Sequence, residues 1–146
     1  MLLSISLVGC ASISSVTAPN RGHLGQLSLG MDKQKVLKLM GTRVMKVKSD
    51  LFHAVIINNP YRSETLDDKD GKNYEVLYYV TDNKNDDFLV GDSDLTPLVI
   101  DNDGKLVGWG QNFLTEFITR NQVKNLNQTA KPDSGGGLGF GKKKKK

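Results

Sequence analysis

Cys10 is the only cysteine in this 146-residue chain, and it follows nine residues that carry no charged side chain. No disulfide bond can therefore form within the chain. A domain without such a cross-link has to gain its stability from packing, and 146 residues suffice for one domain of ordinary size. The sequence consequently predicts a single unit that is held together by an apolar core.

The segment before Cys10 has the pattern of an export signal. Residues 1–9 are mostly apolar and end in Leu7-Val8-Gly9, and an apolar run that closes with a small residue is typical of a secretory signal. Leu-Val-Gly-Cys resembles the bacterial lipobox, whose cysteine thiol receives a diacylglyceryl group. We therefore predict that residues 1–9 are a lipoprotein signal peptide and that Cys10 is the lipid attachment residue. The alternative is a small buried thiol.

The positive charge of the chain is concentrated at its C-terminus. The formal net charge is +4, but residues 130–146 hold six lysines and one aspartate, so the rest of the chain is close to neutral. A neutral body argues against nucleic acid as a partner, because such binding requires a basic face on the fold itself. We expect residues 122–146 to be a disordered basic Gly/Lys tail, and its lysines 142–146 could contact anionic lipid.

The N-terminal half predicts a polar linker followed by a short helix. Residues 10–25 are rich in Ser, Thr, Pro, Asn and Gly and predict a flexible tether. Residues 33–40 place apolar side chains at helical spacing. Asp32 is suited to the N-cap of this helix, and Gly41 is suited to its C-terminus because glycine tolerates a positive φ.

The C-terminal half predicts strands and a second amphipathic helix. Residues 112–120 place four large apolar side chains on one helix face. Pro97 indicates an edge strand or an irregular strand start. The secondary structure of residues 42–72 remains ambiguous, and residues 82–94 predict an acidic loop. Three segments have strand composition, and the last two flank a turn with a strong hairpin signal; they are Asn73–Thr81, Leu95–Ile100 and Lys105–Trp109.

Several of these segments carry a family resemblance. The stretch from Leu29 to Thr42 resembles the opening helix motif of the SmpA/OmlA (BamE-like) lipoproteins, and the stretches around Tyr78 and Trp109 resemble an uncharacterised branch of that superfamily. The resemblance implies an α+β domain over residues 26–121, with two short helices packed on a three-stranded antiparallel sheet, as in β-lactamase-inhibitor domains. The helix predicted from the periodicity of residues 112–120 is added to this arrangement as a C-terminal helix.

The resemblance also implies a location and a role. It implies a lipid-anchored protein on the periplasmic side of the outer membrane, and Ala11 after the acylated cysteine fits that address in the enteric pattern. The expected role is a non-enzymatic scaffold or accessory factor in outer-membrane protein assembly, with the β-barrel assembly machine as a candidate partner, or in envelope integrity. The alternative is a secreted inhibitor or a ligand-binding module of the same architecture, since fold alone does not fix function.

Apolar residues on both faces of the predicted strands suggest a protein-binding surface. A strand with one solvated face should alternate apolar and polar residues, but Leu77, Tyr79, Val107 and Trp109 place apolar groups on the second face as well. Either the helix at 112–120 covers this face, or it is an exposed patch for a partner.

The sequence contains no catalytic or metal-binding pattern that we recognise. His23 and His53 are not joined by ligand spacing, and the aspartates of the acidic loop do not match a calcium loop. We therefore expect no enzyme activity and no cofactor.

Overall fold

The computed structural model describes residues 12–48, 53–84 and 89–123. It is an α+β fold with three helices and two antiparallel sheets. Cys10 and the tail from residue 124 lie outside the described residues. Among the helices that are described, none has the length and apolar character needed to cross a membrane.

Helix α1 (Ser14–Leu24) occupies the segment that the sequence predicted to be a tether, so this prediction is wrong from Ser14 onward. The helix contains Pro19 and begins without a side-chain cap, which are features that lower helix propensity. Tertiary packing stabilises it instead, because Val16 and Asn20 are buried and Ile13 enters the core just before the helix. The domain therefore begins before residue 26.

Helix α2 (Lys33–Met40) confirms the predicted helix, and Gly41 ends it with φ of +89°. Its buried Val36 and Met40 lie on one side. Asp32 does not cap the helix through its side chain; its carboxylate instead pairs with the ammonium group of Lys105. This ion pair holds the pKa of Asp32 below its ordinary value.

The larger sheet has four strands in the order β3-β4-β5-β6, rather than the predicted three. Strands β4 (Asn73–Val80), β5 (Leu95–Ile100) and β6 (Leu106–Trp109) match the prediction closely. The additional edge strand β3 (Arg62–Asp67) pairs with β4. It lies in the ambiguous segment, because its polar sequence gives little strand signal.

Strands β1 (Val44–Lys48) and β2 (Ala54–Asn58) form a separate antiparallel hairpin. Pro97 lies in the central strand β5 and not on an edge. The Pro97 carbonyl accepts a hydrogen bond from the N–H of Gly110, which lies just beyond the end of β6. The hydrogen-bond ladder between β5 and β6 therefore ends at Pro97, and the N–H that proline lacks is not needed there.

Both faces of the larger sheet are covered. One face packs against α2 through a core cluster that includes Leu77, Tyr79 and Leu98. The other face packs against β1–β2 and against helix α3 (Gln111–Asn121) through a cluster that includes Val76 and Val99. This double burial explains why β4 has apolar residues on both of its faces.

Candidate functional site

The four residues of the predicted protein-binding surface have different positions in the fold. Leu77 is 3% exposed and Tyr79 is completely buried, so the prediction that they form a partner surface is wrong. The predicted cover, the helix at 112–120, lies on the opposite face, and α2 covers these two residues instead. Val107 and Trp109 remain partly exposed.

Val107 and Trp109 line a shallow apolar groove together with Leu29, Gly108 and Phe113. The groove encloses about 240 Å³ and lies along β6, which is an edge strand of the sheet. Leu29, in the loop before α2, is 69% exposed, which makes it one of the most exposed large apolar residues in the described part of the chain.

Gly108 makes the floor of this groove. A Cβ atom at this position would lie 2.3 Å from two ring carbons of Phe113, which is far closer than van der Waals contact allows. The ring can therefore lie against the strand only because residue 108 has no side chain. The register shifts between Val99 and Ile100 of β5, so Val107 is the extra residue of a β-bulge in β6. Val107 packs against the core cluster on the α3 side of the sheet.

The backbone beside the groove is only partly paired. The Gly30 N–H donates to the Leu106 carbonyl at 2.8 Å, and the Leu106 N–H donates to the Met31 carbonyl at 2.9 Å. These bonds cover the start of β6 and fix Leu29 at the rim. Within the described ranges, no strand pairs with the outer edge of β6 after Leu106. An exposed edge of this kind accepts an additional extended chain.

Sequence reasoning identified two of the groove residues and missed the others. Leu29 was part of a helix motif and gave no signal of exposure. Phe113 was assigned to a core helix face, although its ring also forms a wall of the groove. The Gly108-Trp109-Gly110 pattern beside an aromatic helix start was the available signal, since a glycine in a strand often marks a close approach.

A buried pair of amides joins α1, α2 and the sheet at the end where β4 finishes. Asn20 Nδ2 donates to Asn59 Oδ1 at 2.9 Å, and Asn59 Nδ2 donates to Asn20 Oδ1 at 3.1 Å. The remaining amide hydrogens bond the carbonyls of Val80 (2.8 Å) and Met40 (2.9 Å). Because every member of this network is satisfied, it stabilises the fold and offers no free group for chemistry.

Two turns at the opposite end of the sheet share the sequence Asp-x-Asp-Gly-Lys. Asp68 Oδ1 accepts hydrogen bonds from the N–H groups of Asp70 and Lys72, at 2.8 and 2.9 Å. Asp101 Oδ1 accepts from Asp103 and Lys105 in the same way, at 3.0 and 2.8 Å. The backbone N–H groups, first that of Lys72, keep the pKa of Asp68 below its ordinary value. These carboxylates therefore act as turn formers.

Within residues 12–48, 53–84 and 89–123, no three His, Cys, Asp or Glu side chains are grouped to hold a metal ion. A cleft of about 290 Å³ near these turns contains Lys33 and Glu75, which form an ion pair at 2.6 Å. Tyr74 also lines it, and burial raises the pKa of this phenol.

Comparisons with known proteins identify a family but not an activity. A sequence profile described as "Protein of unknown function (DUF3192)" matches residues 12–116, which include all three helices up to the middle of α3 and both sheets. No curated protein and no solved structure matches the chain. The match covers well over half of the sequence, and it begins two residues before α1. The chain therefore belongs to the DUF3192 family.

Proposed function

We propose that this protein is a lipid-anchored lipoprotein of the outer membrane that faces the periplasm and acts as a non-enzymatic scaffold or accessory factor. Its role would lie in outer-membrane protein assembly or in envelope integrity. The observation that carries the proposal is the apolar groove along β6, because it places exposed apolar groups beside an edge strand. The lipobox pattern at Cys10 supports the membrane address.

The chemistry of the groove suits a protein partner. Tryptophan, tyrosine and arginine dominate the residues whose loss weakens protein interfaces, and aromatic residues are enriched at interface centres. Trp109 and Phe113 supply two aromatic surfaces, while Leu29 adds an aliphatic rim. An extended segment of a partner could pair with the backbone of β6 and insert alternate side chains into the groove.

The order of elements is consistent with the resemblance to SmpA/OmlA lipoproteins. Helices α1 and α2 precede the antiparallel sheet, but only α2 lies within residues 26–121, where the resemblance implies two short helices. The β1–β2 hairpin, strand β3 and helix α3 are additional to that arrangement. As part of the same proposal, we infer a β-lactamase-inhibitor-like architecture and envelope proteins as partners, with the β-barrel assembly machine as the candidate.

Exchanging one exposed leucine for a charge tests the groove. Leu29→Asp should abolish partner binding and leave the fold unchanged, because this side chain is already 69% exposed. Val44→Asp is the matched control, since Val44 is 67% exposed but lies on the β1–β2 hairpin. Both variants would be expressed in cells that lack the native gene, and envelope integrity would be measured as resistance to large antibiotics. Equal behaviour of the two variants would contradict the role of the groove.

In-cell crosslinking distinguishes the proposed role from the alternative. A photoreactive amino acid in place of Leu29 should capture proteins of the outer-membrane assembly apparatus. Capture of a soluble enzyme would instead favour the secreted inhibitor of similar architecture. The lysines of residues 142–146 could add a contact with anionic lipid, and their removal should then reduce salt-sensitive vesicle binding.

A further inference from the structure

The distance between Cys10 and the folded body is short. Ile13 is only 5% exposed and belongs to the core, together with Val16. In the sequence, only Ala11 and Ser12 separate Ile13 from Cys10. Consecutive Cα atoms lie about 3.8 Å apart, so three steps span about 11 Å at most. The Cα atom of Cys10, to which any lipid would be joined through the side chain, is therefore held within this distance of the Cα atom of Ile13.

The surface within this reach is the end of the sheet where β4 leads into β5. A cleft of about 300 Å³ brings Ile13 and Ser14 together with Asp82 and Asn83. Across this end, Arg21 donates hydrogen bonds to the Thr81 carbonyl at 2.9 and 3.1 Å. We call this region, formed by the first turn of α1 and by residues 81–84 and 89–94 on the two sides of the β4–β5 connection, the α1 end.

An exposed leucine lies in the same connection. The buried carboxylate of Asp94 accepts hydrogen bonds from the N–H groups of Lys84 and Gly91, and the Asp94 carbonyl accepts from Asp82. These bonds hold both sides of the connection at the α1 end. Leu89, two residues before Gly91, is 72% exposed.

The two Asp-x-Asp-Gly-Lys turns, residues 68–72 and 101–105, lie at the other end of the sheet, which we call the turn end. They connect β3 to β4 and β5 to β6, whereas the α1 end contains the β4–β5 connection. The eight residues of β4 separate the two ends by about 26 Å. This distance exceeds the reach from Cys10.

We propose that the α1 end rests on the bilayer, with Leu89 in the interfacial layer and the turn end directed away from the membrane. The proposal depends on the lipid attachment proposed for Cys10. The short connection, and not a flexible tether, then fixes the orientation of the domain. Because β6 is an edge strand, its groove opens sideways, toward proteins anchored in the same leaflet.

Site-specific quenching tests this orientation on the full-length lipidated protein. An environment-sensitive dye is attached to Leu89→Cys, to Ser14→Cys or, as the control at the turn end, to Asp103→Cys. All three side chains are exposed, so the substitutions should leave the fold intact. The protein is reconstituted in vesicles of phosphatidylethanolamine and phosphatidylglycerol that contain lipids with a quenching nitroxide on the acyl chain.

We expect strong quenching at positions 14 and 89 and none at position 103. Insertion of a Gly-Ser linker of about 20 residues between Ala11 and Ser12, with a root-mean-square span of about 25 Å, should remove most of the quenching at 14 and 89. Equal quenching at 89 and 103, or quenching that the linker does not change, would overturn the orientation.

Flotation of the vesicles and mass analysis of the floated protein are read separately. If the protein floats and carries lipid but position 89 is not quenched, the orientation is wrong while the lipid attachment stands. If the protein carries no lipid, the attachment at Cys10 is wrong, and the orientation is refuted together with it.

Discussion

The buried amide pair Asn20–Asn59 permits a quantitative test of how α1 is held. Four hydrogen bonds meet there: two between the amides, one to the Val80 carbonyl and one to the Met40 carbonyl. Substitution of Asn59 by alanine removes three of them, and substitution of Asn20 by alanine also removes three. The two bonds between the amides are common to both sets.

The magnitude follows from this count. A buried hydrogen bond contributes about 1 kcal/mol net, and a polar group left without a partner costs about 1–3 kcal/mol. Asn20 and Asn59 are 2% and 8% exposed, so water does not replace the lost partners. Each single substitution should therefore lower the free energy of unfolding by about 3 kcal/mol.

A double-mutant cycle isolates the shared bonds. The double variant removes four bonds rather than six, so its loss should be about 4 kcal/mol, and the coupling energy should be about 2 kcal/mol. Urea unfolding of the Cys10→Ala protein, followed by circular dichroism, measures each value. Asn58→Ala is the control, since Asn58 is exposed and adjacent to Asn59, and it should change stability by less than about 0.5 kcal/mol. Additive losses at positions 20 and 59 would show that the two amides are not coupled and that α1 is not held by this pair.

Three further predictions concern the groove, the buried phenol and α1. Gly108→Ala should destabilise the fold by about 1–3 kcal/mol, because the new Cβ atom overlaps the Phe113 ring. Phe113→Ala removes that ring, so the double variant should lose less stability than the sum of the two single variants when all are unfolded in urea. Additive losses would contradict the contact between residues 108 and 113. Burial raises the pKa of the Tyr79 phenol to about 12 in the folded state, whereas a tyrosine in the unfolded chain has a pKa near 10. The folded state therefore binds the phenolic proton more tightly than the unfolded state does. The stabilisation is complete below pH 10 and is lost as the pH rises toward 12; Tyr79→Phe should therefore flatten the loss of stability in this range, and an unchanged pH profile would argue against it. Val16→Ala should lower the free energy of unfolding by about 2 kcal/mol, because Val16 is buried. Ala18→Ser is the control and should lower it far less, because Ala18 is exposed. Equal effects of the two substitutions on thermal unfolding would mean that α1 is not packed against the core.

Strong local patterns in the sequence predicted much of the fold. Helix α2, with Gly41 after it, and strand β5 were predicted with the bounds that the structure shows, and α3 was predicted to within one residue at each end. In each case apolar periodicity and a turn or cap signal agree. Strand β3 was not predicted, because its residues are mainly polar and it forms only by pairing with β4.

The missed elements and the misplaced patch have one physical origin, which is tertiary contact. Helix α1 combines Pro19 and Gly22 with serine-rich surroundings, so its local signal is that of a linker, and buried Asn20 cannot be distinguished from an exposed asparagine in the sequence. Leu77 and Tyr79 were placed on an open face because the sequence does not show that α2 covers it.

The proposed address, orientation and role all depend on the attachment of lipid at Cys10. Intact and peptide mass analysis of the protein purified from membranes tests this attachment. We expect a mature chain that begins at Cys10 and carries a diacylglyceryl group on the thiol and an acyl group on the amine. A protein that retains residues 1–9 with an unmodified Cys10 would refute the lipid attachment.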